Sequence, residues 1–152
     1  MPDVSIKVDA DTHRALTDLA YLLDTTKKAV VADAIADFTE AYGAVVRAPG
    51  KVTFDELSLM DRLALRRPAL LRTFAKRDAT DARLMHRDDD DPDAPIRLLV
   101  TTDLARGGGE AFELERLARI LLRGPVEVES ATRLRLFDEP ALRQAIANSA
   151  PL

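Results

Sequence analysis

Residues 96–130 read IRLLVTTDLARGGGEAFELERLARILLRGPVEVES, and the order in which the pattern changes along this stretch governs the fold of everything around it. Ile96 to Thr101 is a continuous apolar strand. Glu110 to Arg123 is a helix with acidic residues in its first turn and arginines in its last, the arrangement the helix macrodipole favours. Gly124-Pro125 ends it. Val126, Val128, Leu134 and Leu136 share one parity, which predicts a second strand or a bent pair over 126–137, and Pro140 to Ala147 predicts a short last helix with Leu142 and Ile146 inward. Strand, helix and strand in that order favour a parallel pair with a right-handed crossover. Two strands are too few for a free-standing sheet, so this small β-α-β-α unit, residues 96–152, is expected to lean on a neighbour.

Gly107-Gly108-Gly109 lies between the first strand and the helix, where a glycine loop can let a helix N-terminus approach a phosphate. The spacing fits neither usual glycine fingerprint, no Lys follows, and Glu110 and Glu113 occupy the turn where an anion would bind. A flexible strand-to-helix loop is the expectation.

Upstream, Asp88 to Pro95 holds five aspartates and two of the chain's eight prolines, the composition of a solvated acidic linker over 88–95. It lacks the spacing and the bidentate Glu of a calcium loop. Residues 47–87 form a basic segment, ten Lys and Arg against five acids. Thr53-Phe54-Asp55-Glu56 reads as a capping box opening a helix with Leu57, Met60 and Ala64 inward. Pro68 is expected to break that helix, and a further one to run from about Ala69 to Met85. Arg62, Arg66, Arg67, Arg72, Lys76, Arg77, Arg83 and Arg87 are either the solvated faces of two helices or a surface that adds contacts to nucleic-acid phosphates.

Composition removes several function classes. The 152 residues, 47% of them hydrophobic, suffice for one ordinary domain or two small ones. No apolar run approaches the roughly 18 residues of a membrane span, and the start MPDVSIKVDAD has neither region of a signal peptide, so a cytoplasmic protein without membrane contact is expected. There is no Cys, which excludes disulfides, thiolate catalysis and Cys-ligated zinc, and His13 and His86 are the two imidazoles. No metal or cofactor is inferred. The net charge of −4 falls in residues 1–46, where Lys7, Arg14, Lys27 and Lys28 face eight acids. No nucleophile stands beside a base and no carboxylates pair on an apolar background, so the chain is not expected to be an enzyme.

Within residues 1–46, Val4, Ile6 and Val8 alternate with Asp3, Ser5, Lys7 and Asp9, the period of a strand with one face buried. Asp9 can cap a helix whose apolar stripe is Leu16, Leu19, Ala20 and Leu23. Asp24-Thr25 interrupts it, and Thr26 can cap a second helix with Val30, Val31, Ala34, Ile35, Phe38 and Tyr42 on one face and Gly43 closing it. A lone strand and two helices cannot bury this surface, which points to a dimer.

Residues 3–42, through VSIKV, DADTHRALTDLAYLL and DTTKKAVVADAIADFTEAY, resemble the ribbon-helix-helix family of DNA-binding regulators, CopG-like and antitoxin-type. The resemblance implies an α+β homodimer whose chains pair their strands into an antiparallel ribbon in the major groove of double-stranded DNA. Carried over by position, it makes Ser5 and Lys7 base contacts, Thr26, Lys27 and Lys28 phosphate contacts at a helix N-terminus, and Val4, Ile6, Val8, Leu16, Leu19, Val31, Ile35 and Phe38 the dimer core. Asp3 departs from the pattern, since a carboxylate there repels phosphate.

The implied function is a transcriptional repressor, antitoxin-like, with residues 47–152 binding a protein partner such as a toxin or effector, or extending oligomerisation. An alternative keeps the dimer as an interaction or assembly module without DNA specificity. A third reading makes the C-terminal half a small nucleotide-binding or catalytic domain.

Overall fold

The computed structural model describes residues 5–41, 53–86, 91 and 94–152. Contacts divide the chain at Ala48/Pro49 into two compact units.

In the first unit, α1 runs Ala10–Leu22 and α2 runs Lys27–Ala41. Asp9 caps α1, its Oδ1 accepting from the Thr12 amide at 2.7 Å. Asp24 ends it in the left-handed region at φ 48°, which a short polar side chain tolerates. The Thr26 hydroxyl caps α2, accepting from the Ala29 amide at 3.2 Å. Only Ala20 and Val30 are buried on these two helices.

The N-terminal ribbon is not there. Ser5 to Asp9 form no strand and pair with no segment among the described residues, while Val4 and Gly43 lie outside them. Alternation states which face a strand would bury, but a strand also needs a ladder partner and a surface beneath it. Ile6 is 76% exposed, so the chain supplies neither. The ribbon-helix-helix reading is thus corrected for the fold and for the family: the molecule is helical first, with its sheet at the C-terminal side.

The second unit begins with a 3-10 turn, Phe54–Glu56, inside the capping box. Glu56 Oε2 accepts from the Thr53 amide at 2.7 Å and from its hydroxyl at 3.0 Å. The box closes one turn only; Ser58 then caps α3, Leu59–Ala75. Met60 is exposed, and the inward residues are Leu59, Leu63, Leu70 and Phe74. These lie on one stripe before and after Pro68, so α3 continues through the proline. Burying large apolar side chains on both sides is worth about 1.5–3 kcal/mol each and offsets the roughly 3 kcal/mol that an interior proline costs.

The helix then stops at Ala75 instead of reaching Met85. Asp78 takes φ 55°, and the Ala79 amide turns back to the Phe74 carbonyl at 3.1 Å. The chain next extends into a strand, β1, Thr80–Met85. It pairs antiparallel with β2, Ile96–Thr101, and with β4, Ser149–Pro151. Helix α4, Glu110–Leu122, leads to β3, Val126–Ser130, which pairs parallel with β2. Two short helices, α5 (Ala131–Phe137) and α6 (Glu139–Ala147), fill the stretch before β4. The sheet order is β3-β2-β1-β4. The middle and C-terminal segments therefore share one mixed sheet, and no separate β-α-β-α unit stands beside a helical one.

Both faces of this sheet are covered. Ile96, Leu98, Val100 and Val126 pack with Leu63, Leu70 and Phe74 of α3 and Leu114, Ala118 and Leu122 of α4. On the other face, Met85 and Leu99 pack with Ala131, Leu142 and Ala145. This is why β2 reads as a continuous apolar run. Arg62 ties α3 to the end of α4: its guanidinium donates to the carbonyls of Arg123 at 2.7 Å and Leu57 at 3.0 Å. Among the described residues no helix is long and apolar enough to cross a membrane.

Candidate functional site

A cleft of about 860 Å³ opens around β3 and the carboxyl ends of β2 and β3. Ligands of parallel sheets sit at strand carboxyl ends, and this volume lies within the range of small-molecule pockets. The parallel register sets Arg97 beside Glu127 and Leu99 beside Glu129. Because Leu99 faces α5 and α6, Arg97, Glu127 and Glu129 share that face. Arg97 Nε lies 3.4 Å from Glu127 Oε2, both side chains half exposed.

The floor at the strand ends is a buried hydroxyl cluster. Thr102 Oγ1 and Ser130 Oγ are 2.6 Å apart. The Thr132 hydroxyl donates to the Thr102 carbonyl at 2.7 Å and accepts from the Thr102 amide at 3.1 Å. Ser130 also caps α5, accepting from the Arg133 amide at 3.1 Å. These bonds hold the two strand ends together and fix the start of α5 beside the cleft.

The glycine loop also lines the cleft, through Gly107 and Gly108. Gly107 takes φ 93°, a conformation that needs glycine. A Cβ on Gly108 or Gly109 would meet nothing within 4 Å, so neither the backbone nor the packing of the chain itself demands glycine there. Directly after them stands Glu110, 8% exposed, with Oε2 buried and without a hydrogen-bond partner. Among the described residues, five carboxylates line the cleft (Glu110, Glu115, Glu127, Glu129 and Asp138) against the guanidiniums of Arg97 and Arg133. Glu115 is engaged by Arg119 at 2.8 Å, and Asp138 caps α6 through the Ala141 amide at 3.0 Å.

The residues expected to contact DNA fall on two separate segments of the first unit. Ser5 and Lys7 are exposed on a segment without a strand. Thr26 spends its hydroxyl on the α2 cap, and Lys27 Nζ lies 3.1 Å from His13 Nε2. Lys28 is exposed in the first turn of α2. Of the expected dimer core, Leu16 and Val31 are half-buried, and Ile6, Val8, Leu19, Ile35 and Phe38 are exposed. Sequence reading passed over the cleft because Glu110 also satisfies a helix-start rule, and Glu127 and Glu129 read as the wet face of a strand. The available signal was Arg97, the lone charge in an apolar strand, opposite those two acids.

No family model and no curated protein matches the chain. Among solved structures it is similar to one described as a candidate minimal nucleotidyltransferase, 22% identical, over 63% of this chain and 97% of that one, with a TM-score of 0.50. That span is about 96 of the 152 residues, twice the 48 of the first unit, so at least half of it lies in the second. Over that span the fold is nucleotidyltransferase-like. This likeness overturns the repressor reading, the interaction-module alternative and the expectation that the chain is no enzyme.

Metal-assisted transfer at phosphorus draws several carboxylates around divalent cations. Among the described residues no three His, Asp or Glu side chains converge closely enough to hold an ion. The described donors therefore do not fit such a centre. Of the aspartates in 88–93, only Asp91 falls within the described residues.

Proposed function

We propose that residues 49–152 are an enzyme domain of the nucleotidyltransferase type, and that the cleft at the ends of β2 and β3 holds the acceptor molecule. In such a transfer an acceptor oxygen bonds to the α-phosphorus of a nucleoside triphosphate as the bond to pyrophosphate breaks. Pyrophosphate leaves with the electron pair, and the acceptor's proton passes to solvent or to a carboxylate. The observation that carries this reading is the position of the cleft at the strand ends of a nucleotidyltransferase-like sheet. Its excess of carboxylates disfavours a bare triphosphate there and leaves the acceptor as the better occupant.

The test is pyrophosphate release from each of the four ribonucleoside triphosphates with magnesium, with and without a mixture of small hydroxyl-bearing acceptors. Release stimulated by an acceptor supports the reading. Its absence across all combinations, in protein whose folded state is verified, counts against it.

A second copy of the chain is proposed as partner of the first unit. Ile6, Tyr21, Leu22, Leu23, Ile35 and Phe38 are all exposed there, and two helices this short bury too little apolar surface to stand alone.

A further inference from the structure

We infer that the β2–β3 cleft binds an organic cation, a small molecule bearing a protonated amine, and that Glu110 is the group that recognises it. The inference deepens the proposed reading of this cleft as an acceptor site and rests on it. Its central observation is the orphaned oxygen of Glu110: a carboxylate more than nine-tenths buried, lining the cleft, whose Oε2 has no hydrogen-bond partner. A buried carboxylate left unpaired is costly, and such groups in folded proteins are matched by a cation or by several donors. Among the described residues nothing pairs with Oε2, which leaves that oxygen to a partner from outside.

Charge and shape narrow the partner. Among the described lining residues, five carboxylates against two guanidiniums disfavour an anion. A metal ion would need further carboxylates converging beside Glu110, and the described residues offer no such group. A neutral donor would complete the hydrogen bond but leave the charge uncompensated. An ammonium does both, with up to three N–H donors on a compact cation. Leu98, Leu104, Ala111, Val128 and Leu134 give the cleft apolar walls for an aliphatic stem. Phe137, 81% exposed at the cleft, adds a ring face that attracts ammonium groups. Gly108, free of any steric demand from the chain, leaves room at the rim for a ligand to approach backbone.

The experiment is calorimetric titration of the full chain with spermidine, with 1,8-octanediol as the uncharged control, in the wild type, Glu110→Gln and Glu40→Gln. Glu40 is an exposed acid of the first unit, so its variant reports nonspecific attraction of a cation to an acidic protein. The expected result is spermidine binding that Glu110→Gln weakens at least tenfold and Glu40→Gln leaves unchanged, with no binding of the diol. Should Glu110→Gln fail to fold, amide hydrogen exchange of the wild type decides, spermidine being expected to protect Gly107–Ala111. Equal loss in both variants, or binding without protection of that loop, overturns the inference. If spermidine does not bind while acceptor-stimulated pyrophosphate release occurs, the amine assignment fails and the transferase reading stands. If spermidine binds through Glu110 and no nucleotide is turned over, the reverse holds.

Discussion

Glu115 and Arg119 meet at 2.8 Å on α4, and each also bonds the backbone of β3. Glu115 Oε2 accepts from the Val128 amide at 3.2 Å, and Arg119 Nε donates to the Val126 carbonyl at 2.9 Å. β3 is an edge of the sheet, and an open edge is a template for pairing with other chains. One ion pair therefore satisfies two backbone groups of the β3 edge and fastens the helix to it.

Removing either partner is expected to free one backbone group and one charge together. Glu115→Ala and Arg119→Ala should each lower stability by about 0.5–1.5 kcal/mol, the net worth of a hydrogen bond at a half-buried site. In urea unfolding the double variant should fall short of the sum of the two, because the residues act as a unit. Additive losses would show that they act separately.

Gly124 packs closely against the start of α3. A Cβ there would come within 2.6 Å of Leu59 Cδ1, at the start of α3. Because Leu59 Cδ1 ends a flexible side chain that can give way, Gly124→Ala should cost about 1 kcal/mol, the low end of overpacking, and lower Tm by a few degrees on the scale of about 2–4 °C per kcal/mol. Shortening the neighbour with Leu59→Ala in the same chain should relieve part of that clash, so the combined loss should be less than additive.

Acid should loosen α1 through its cap. The Thr12 amide, and then its hydroxyl, hold the Asp9 carboxyl below its ordinary value. A carboxyl depressed in the folded state stabilises above its unfolded pKa, and the benefit disappears as pH falls through the folded one. A proton titration of Asp9 by NMR should give a midpoint below that of a free aspartate, and Thr12→Val should move it back up. A midpoint at the free value would show that the cap is not formed.

Association of the first unit is read from mass. Sedimentation should give about 33 kDa, twice the 16.7 kDa chain. Ile35→Asp with Phe38→Asp should return it to one chain. A wild type that sediments as one chain at tens of micromolar would refute the pairing.

How much of this was legible depends on what each pattern encodes. β2 was readable to the residue because a strand covered on both faces must be apolar throughout, and Ile96 to Val100 are, Arg97 apart. The caps at Asp9, Thr26 and Thr53 were readable because their donors and acceptors lie within three residues. β1 was not: Thr80–Met85 carries no alternation, and the stop signal before it is the left-handed Asp78, a conformation that an aspartate permits without announcing. The ribbon failed for the opposite reason. Val4, Ile6 and Val8 alternate well, but a ladder partner is a property of the rest of the molecule and cannot be read from the strand. Glu110 was visible as a helix-start acid; its burial without a partner depends on how the Gly107–Gly109 loop closes against the strand ends, which no local pattern records.

The central claim is that the second unit takes its ligand where β2 and β3 end. Amide hydrogen exchange of the full chain, with and without a nucleoside triphosphate, magnesium and spermidine together, tests it most directly. Protection concentrated in Thr101–Ala111 and Ser130–Phe137 is the predicted result. Protection confined to other segments of the second unit, or none at saturating ligand, would contradict it.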